Sequence, residues 1–125
     1  MADAYKHGIA LLRAGRWFEA HEELELAWRA AAPEERDFYQ GLVHVAVAWY
    51  QAGRGKPVAT GRQLEKALRR LAAFEPSHRG VDVARLRAQL AVLLESGDLR
   101  GRQPDGLEGA IERDVQPPVP VEEQE

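Results

Sequence analysis

The sequence contains no cysteine. No disulfide can therefore support the fold, no thiolate can serve as nucleophile or metal ligand, and nothing in the composition asks for an oxidising compartment. Serine is almost absent too. Only Ser77 and Ser96 occur, both beside predicted helix ends, so no Ser-His-Asp arrangement can be argued. Long apolar runs are missing. The longest, Leu42-Val43 followed by Val45 to Tyr50, is interrupted by His44 and is too short to span a bilayer. The first residues, Met1-Ala2-Asp3-Ala4-Tyr5-Lys6, lack the apolar core of a signal peptide. A soluble, cytoplasmic protein without membrane association is the expectation.

What the chain has is enough apolar residue for one core. At 125 residues, 45% of them hydrophobic, it reads as a single domain. Its net charge of −3 hides an uneven distribution. Residues 1–53 carry five basic and eight acidic side chains, residues 54–103 eleven and five, and residues 104–125 one and seven. A mildly basic half thus precedes a strongly acidic tail, a pattern that serves solubility first and phosphate or nucleic-acid binding second.

Helical periodicity organises the rest. Five segments are predicted: 4–14, 17–31, 34–52, 57–74 and 83–96. Gly15, Pro33, Gly53, Pro76 and Gly97 punctuate them, Pro57 suits a first turn, and Asp82 is a candidate N-cap. Leu64, Leu68 and Leu71, then Leu86, Leu90 and Leu93, recur at helical spacing. Their opposite faces carry Arg62, Lys66, Arg69 and Arg70, then Arg85, Arg87 and Gln89. The third segment is apolar nearly all round, which makes it the central helix. No β signal competes. The predicted fold is an all-α bundle over residues 1–100, two helical hairpins plus a closing helix. Residues 101–125 form a flexible, Pro-rich acidic tail, disordered or draped over the bundle. The Ala14-Gly15 and Ala52-Gly53 hairpins do not keep a fixed repeat, which excludes a solenoid.

Two polar strips stand out from this apolar pattern. In the second helix His21, Glu22 and Glu25 form one strip beside the apolar face of Trp17, Ala20, Leu24 and Trp28. Glu19 and Glu23 point more to solvent. In the third helix Gln40, His44 and Gln51 share a narrow arc. Buried polar groups require partners, and the simplest solution brings the strips together, His21 and Glu25 facing Gln40 and His44, with Gly41 letting the helices approach. One reading is architectural: a His/Glu/Gln network that fixes helix register. The other is a metal site, with His21, Glu25 and His44 as ligands and Glu22 as general base. The segment reads His-Glu-x-x-Glu and lacks the second histidine of the zinc-protease motif. Trp17, Trp28, Trp49 and Tyr50 read as core, Gly53-Arg54-Gly55-Lys56 as an interhelix turn, and His7 and His78 as surface positions without a partner pattern.

The run Trp17-Phe18-Glu19-Ala20-His21-Glu22-Glu23-Leu24-Glu25 with Trp28, followed by Phe38-Tyr39-Gln40-Gly41-Leu42-Val43-His44-Val45-Ala46-Val47-Ala48, resembles the domain of unknown function 309 family. The resemblance covers roughly residues 5–95. It implies a compact, all-helical prokaryotic protein with no established activity, and marks His21, Glu22, Glu25, Gln40 and Gly41 as positions of interest. The family's pattern has glutamine at the position of His44, so it does not imply a three-ligand metal site. Three functional expectations follow: a non-enzymatic interaction or scaffold module with a protein partner or self-association, a metal-dependent hydrolase, and a phosphate or nucleic-acid binder through the basic fourth helix. No cofactor is expected under the first, and a divalent metal only under the second.

Overall fold

The computed structural model describes residues 3–110. Among the described residues five α-helices carry the fold: α1 (Ala4–Arg13), α2 (Trp17–Ala30), α3 (Arg36–Gly53), α4 (Pro57–Leu71) and α5 (Val83–Ser96). Single 3-10 turns, Pro33–Glu35 and Ala72–Phe74, lead into α3 and out of α4. This is the all-α bundle that the periodicity predicts, each helix bounded within a turn of its expected limits. Local chemistry explains the ends. The Asp3 and Asp82 carboxylates accept from the Lys6 and Arg85 backbone N–H groups at 3.1 and 3.0 Å, capping α1 and α5. Gly97 takes φ +73° directly after α5, a left-handed stop that a side chain would oppose.

Successive helices pack as hairpins: α1 on α2, α2 on α3, α3 on α4, α4 on α5. The central helix is α3, with Phe38, Leu42, Val45, Ala46 and Ala48 wholly buried. Ile9, Leu12, Leu24, Leu64, Leu71, Leu86 and Leu90 close around it. Burying each such large apolar side chain contributes about 1.5–3 kcal/mol. The tryptophans divide: Trp49 is core, while Trp17 is half-buried with its ring 5.9 Å from that of Trp49. Among the described residues no helix is long and apolar enough to cross a membrane.

One feature departs from the sequence reading, and a second takes up one of its two alternatives. Where no strand was expected, Ser77–His78 and Val81–Asp82 pair antiparallel as a two-residue hairpin, β1 and β2. The segment after α5 is also partly built into the domain. Its described residues to 110 lie across the bundle, burying Leu107 and Ala110. The Gly106 carbonyl accepts from Asp82 N–H at 2.9 Å, and the Arg102 carbonyl accepts from the Trp49 indole at 3.0 Å. The first part of the expected tail is therefore draped and anchored. The rest of the tail that the sequence reading expects to be flexible, residues 111–125, lies outside the described residues.

Gly41 does allow a close approach, but to α4 instead of α2. A Cβ built there would lie 2.6 Å from Cγ and Cδ2 of Leu71, a side chain with no exposure and no room to retreat. Overpacking of this kind costs about 1–3 kcal/mol, partly offset by the roughly 1 kcal/mol that alanine gains over glycine in a helix. Gly53, near the end of the same helix, faces nothing within 4 Å. Gly41→Ala is expected to lower the urea midpoint, and Gly53→Ala to leave it unchanged or raise it. Equal effects of the two would show that the α3–α4 contact is not tight.

Candidate functional site

On α2 His21 and Glu25 pair at the surface. His21 Nε2 lies 3.5 Å from Glu25 Oε2 across one helical turn, the two side chains 24% and 37% exposed. His21 Nδ1 sits 3.3 Å from the Phe18 carbonyl, and its ring packs on that of Phe18. Glu25 also reaches Arg29 at 3.5 Å. Glu22 is exposed. Glu23 turns towards His7, 3.3 Å away, so His7 is not the unpartnered position expected.

The two strips do not meet. His44 Nδ1–H donates to Gln63 Oε1 of α4 at 2.7 Å instead of facing His21. The cause lies in the helical turn: His44 and Val47 are about 60° apart around α3, and α3 is flanked on both sides. Hence Gly41 and His44 lean to α4, while Val47 and Tyr50 line α2. Gln40 is half-buried on α3. The register network of His21, Glu25, Gln40 and His44 is thus replaced by two local pairs. His21, Glu25 and His44 are not gathered at one point, and among the described residues no three His, Asp or Glu side chains could hold a metal ion. A metal site with Glu22 as its base has no such ligand set to work from.

What α2 and α3 enclose is an apolar cavity of about 210 Å³ lined by Phe18, His21, Val47, Tyr50 and Gln51. Phe18 stands at its mouth, 48% exposed, with its ring 5.5 Å from that of Tyr50. Gln51 Oε1 is buried and has no hydrogen-bond donor among the described residues. The polar motif therefore frames an apolar hole.

A second polar cluster escapes sequence reasoning. The β1–β2 loop consists of Arg79 and Gly80, with φ +47° and +84°. Positive φ at both positions is the pattern of a type I′ hairpin loop, which favours Asn, Asp or Gly. Arginine there costs about 1–3 kcal/mol of backbone strain. Its side chain is engaged: Nε–H donates to the Tyr39 hydroxyl at 2.7 Å, and the guanidinium lies over the Tyr5 and Tyr39 rings at 5.4 and 5.8 Å. Tyr39 and Glu35 hold the Arg79 charge more firmly than usual. The Tyr5 hydroxyl donates to the Arg79 carbonyl at 2.7 Å. Beside it His78 Nε2–H donates to Glu35 Oε1 at 2.8 Å, and its ring sits 4.6 Å from that of Phe38. His78 is thus half-buried and paired, contrary to the surface reading. Arg79, Glu35, Tyr39 and Asp3 border a cleft of about 530 Å³ whose floor is Leu26, Ala27, Ala30 and Ala31.

The titration of His44 is displaced. Burial pushes its pKa below the ordinary 6.5, as do the charges of Lys66, Arg70 and Arg69, against a raising effect of the Gln63 bond. The folded state thus resists protonating it. Its contribution to stability is full above pH 6.5 and is lost as pH falls from there through the lower native value. His44→Gln is expected to flatten the stability–pH slope just below pH 6.5 in urea titrations; an unaltered slope would refute the assignment.

Residues 5–62, from α1 into α4, match the family model described as a domain of unknown function (DUF309). The resemblance read from the motifs holds over that stretch, and the match ends at residue 62, short of the expected 95. An uncharacterized protein of Aquifex aeolicus (strain VF5) is 28% identical over 105 residues, which are 83% of this chain and 31% of that protein. The chain thus spans about a third of the length of this curated relative. No solved structure matches the chain.

Proposed function

We propose that this chain, whose residues 5–62 match the DUF309 domain, is a non-enzymatic interaction module that docks a partner polypeptide between α2 and α3. The cavity of Phe18, His21, Val47, Tyr50 and Gln51 carries this reading. Its walls are apolar, and Gln51 Oε1 is a buried acceptor in want of a donor. Such an atom costs about 1–3 kcal/mol while unpaired. A partner side chain that brings an apolar body and one N–H recovers that cost, and an indole does both. Glu22, next to His21 in the chain, is exposed and has no ion pair among the described residues, which suits a partner with lysine or arginine next to its tryptophan. The length of the Aquifex aeolicus relative supports a module that works beside further polypeptide.

A peptide of acetylated Lys-Trp-Lys amide, titrated into isotope-labelled protein, is expected to shift the resonances of His21, Tyr50 and the Gln51 side-chain amide. Phe18→Ala should weaken binding about tenfold, roughly 1.4 kcal/mol, and Val47→Phe, which fills the cavity, should abolish it. Wild-type affinity in the Val47→Phe protein would refute the reading.

A second reading attaches to α4, where Arg62, Lys66 and Arg69 are exposed and make no hydrogen bond or ion pair among the described residues. Three uncommitted cations on one helix suit a phosphate backbone. Binding of a single-stranded oligonucleotide should then weaken steeply with salt, and Lys66→Glu should reduce the salt slope by about 1. Salt-independent binding, or none at low salt, would remove it.

A further inference from the structure

The cleft beneath Arg79 has the parts of a ligand site. Its volume of about 530 Å³ lies within the range of about 300–1,000 Å³ usual for small-molecule pockets. The recorded hydrogen bond and ion pair of the Arg79 guanidinium are both made through Nε, to Tyr39 at 2.7 Å and Glu35 at 3.8 Å. Its two terminal amino groups remain uncommitted among the described residues. They form a fork matched to a carboxylate, on a side chain 47% exposed. The rest of the rim is acidic, Glu35 shared with His78 and Arg79 and Asp3 lying 3.7 Å from the Lys6 ammonium. Asp3 and Glu35 are carboxylates, and the floor is the last turn of α2, where helix carbonyls lack intrahelical donors and present the negative end of the dipole. A simple anion would be repelled by that half. A molecule with a carboxylate at one end and an ammonium at the other satisfies both.

The floor supplies the third requirement. Leu26 is half exposed, and Ala27, Ala30 and Ala31 leave a shallow apolar surface between the charged ends. The hairpin explains why an arginine stands in a loop position that favours glycine: the backbone aims the guanidinium across Tyr5 and Tyr39 into the cleft. We infer that this cleft binds a short peptide with free termini and apolar side chains, its carboxylate on Arg79 and its ammonium towards Asp3, Glu35 and the end of α2. This site lies at the far end of α2 from the Phe18 cavity and stands apart from the docking reading.

The test uses the full chain and the dipeptide leucyl-leucine, followed by calorimetry and by resonance shifts of Ala27, Ala30 and Arg79. Saturable binding is expected. The carboxamide and the N-acetyl derivatives should each bind at least about tenfold more weakly. Arg79→Gly is the informative variant. It keeps the carbonyl that accepts from Tyr5, it suits the positive φ, and it should fold with a melting temperature close to wild type while losing at least about tenfold in affinity. Should it melt early, Arg79→Lys keeps the charge without the fork and should still weaken binding severalfold. No saturation by leucyl-leucine at millimolar concentration, equal binding of either blocked derivative, or wild-type affinity in both variants would each overturn the inference.

Discussion

The ring of Phe38 is the contact on which the described structure turns. It is fully buried, and the rings of Tyr5, Tyr39, Phe74 and His78 lie 4.6–6.0 Å from it. Those side chains come from α1, from α3, from the turn that leaves α4 and from the hairpin. One aromatic cluster thus ties the first helix to the centre and to the connection before α5. It also sets the chemistry. With the His78 ring held edge-on against Phe38, its Nε2 meets Glu35, and Glu35 in turn shares Arg79 with Tyr39. The Arg79 cleft is a consequence of core packing, not an ornament on the surface.

The helices were legible because their signals are local. Leucine spacing in α4 and α5, Asp82 as a cap and Gly97 as a stop depend on neighbours three or four residues away, and the observed ends agree. The central place of α3 was legible from its nearly unbroken apolar surface. The hairpin was not. Ser77 to Asp82 has no alternating apolar pattern, and its loop uses arginine where a recognisable hairpin would have Asn or Asp before glycine. Residues 104–110 likewise bury Pro104, Leu107 and Ala110 as isolated side chains, too sparse for periodicity to register.

The polar residues show a sharper limit. A helical wheel places His21 beside Glu25 on α2, where the structure also has them, and groups Gln40, His44 and Gln51 on α3, where His44 and Gln51 turn to different neighbours. It says nothing of which neighbour each edge of a strip meets. Within one turn of α3 the partner changes from α4 at His44 to α2 at Val47. A few tens of degrees decide between a shared network and two separate pairs. The Tyr5, Tyr39 and Arg79 cluster was beyond reach for a related reason. Its members are separated by up to 74 positions, and aromatic residues in a small bundle read first as core. Tyr5 and Tyr39 are in fact buried, and their hydroxyls are what marks the site.

Both proposed sites use α2, and its rigidity bears on whether they communicate. Phe18 and His21 stand at one end; Leu26, Ala27 and Ala30 form the floor at the other. The helix has 14 residues, about 21 Å in length. Coupling between sites requires an element with two arrangements that both ligands bias. Between the two ends α2 is pinned by Ala20 and Leu24, both without exposure, and a Cβ built on Gly8 would lie 2.7 Å from Leu24 Cγ. A helix so closely seated has no second packing to adopt without opening the α1–α2 contact. Occupants of the two proposed sites would therefore bind additively, side by side, with no relay from one to the other.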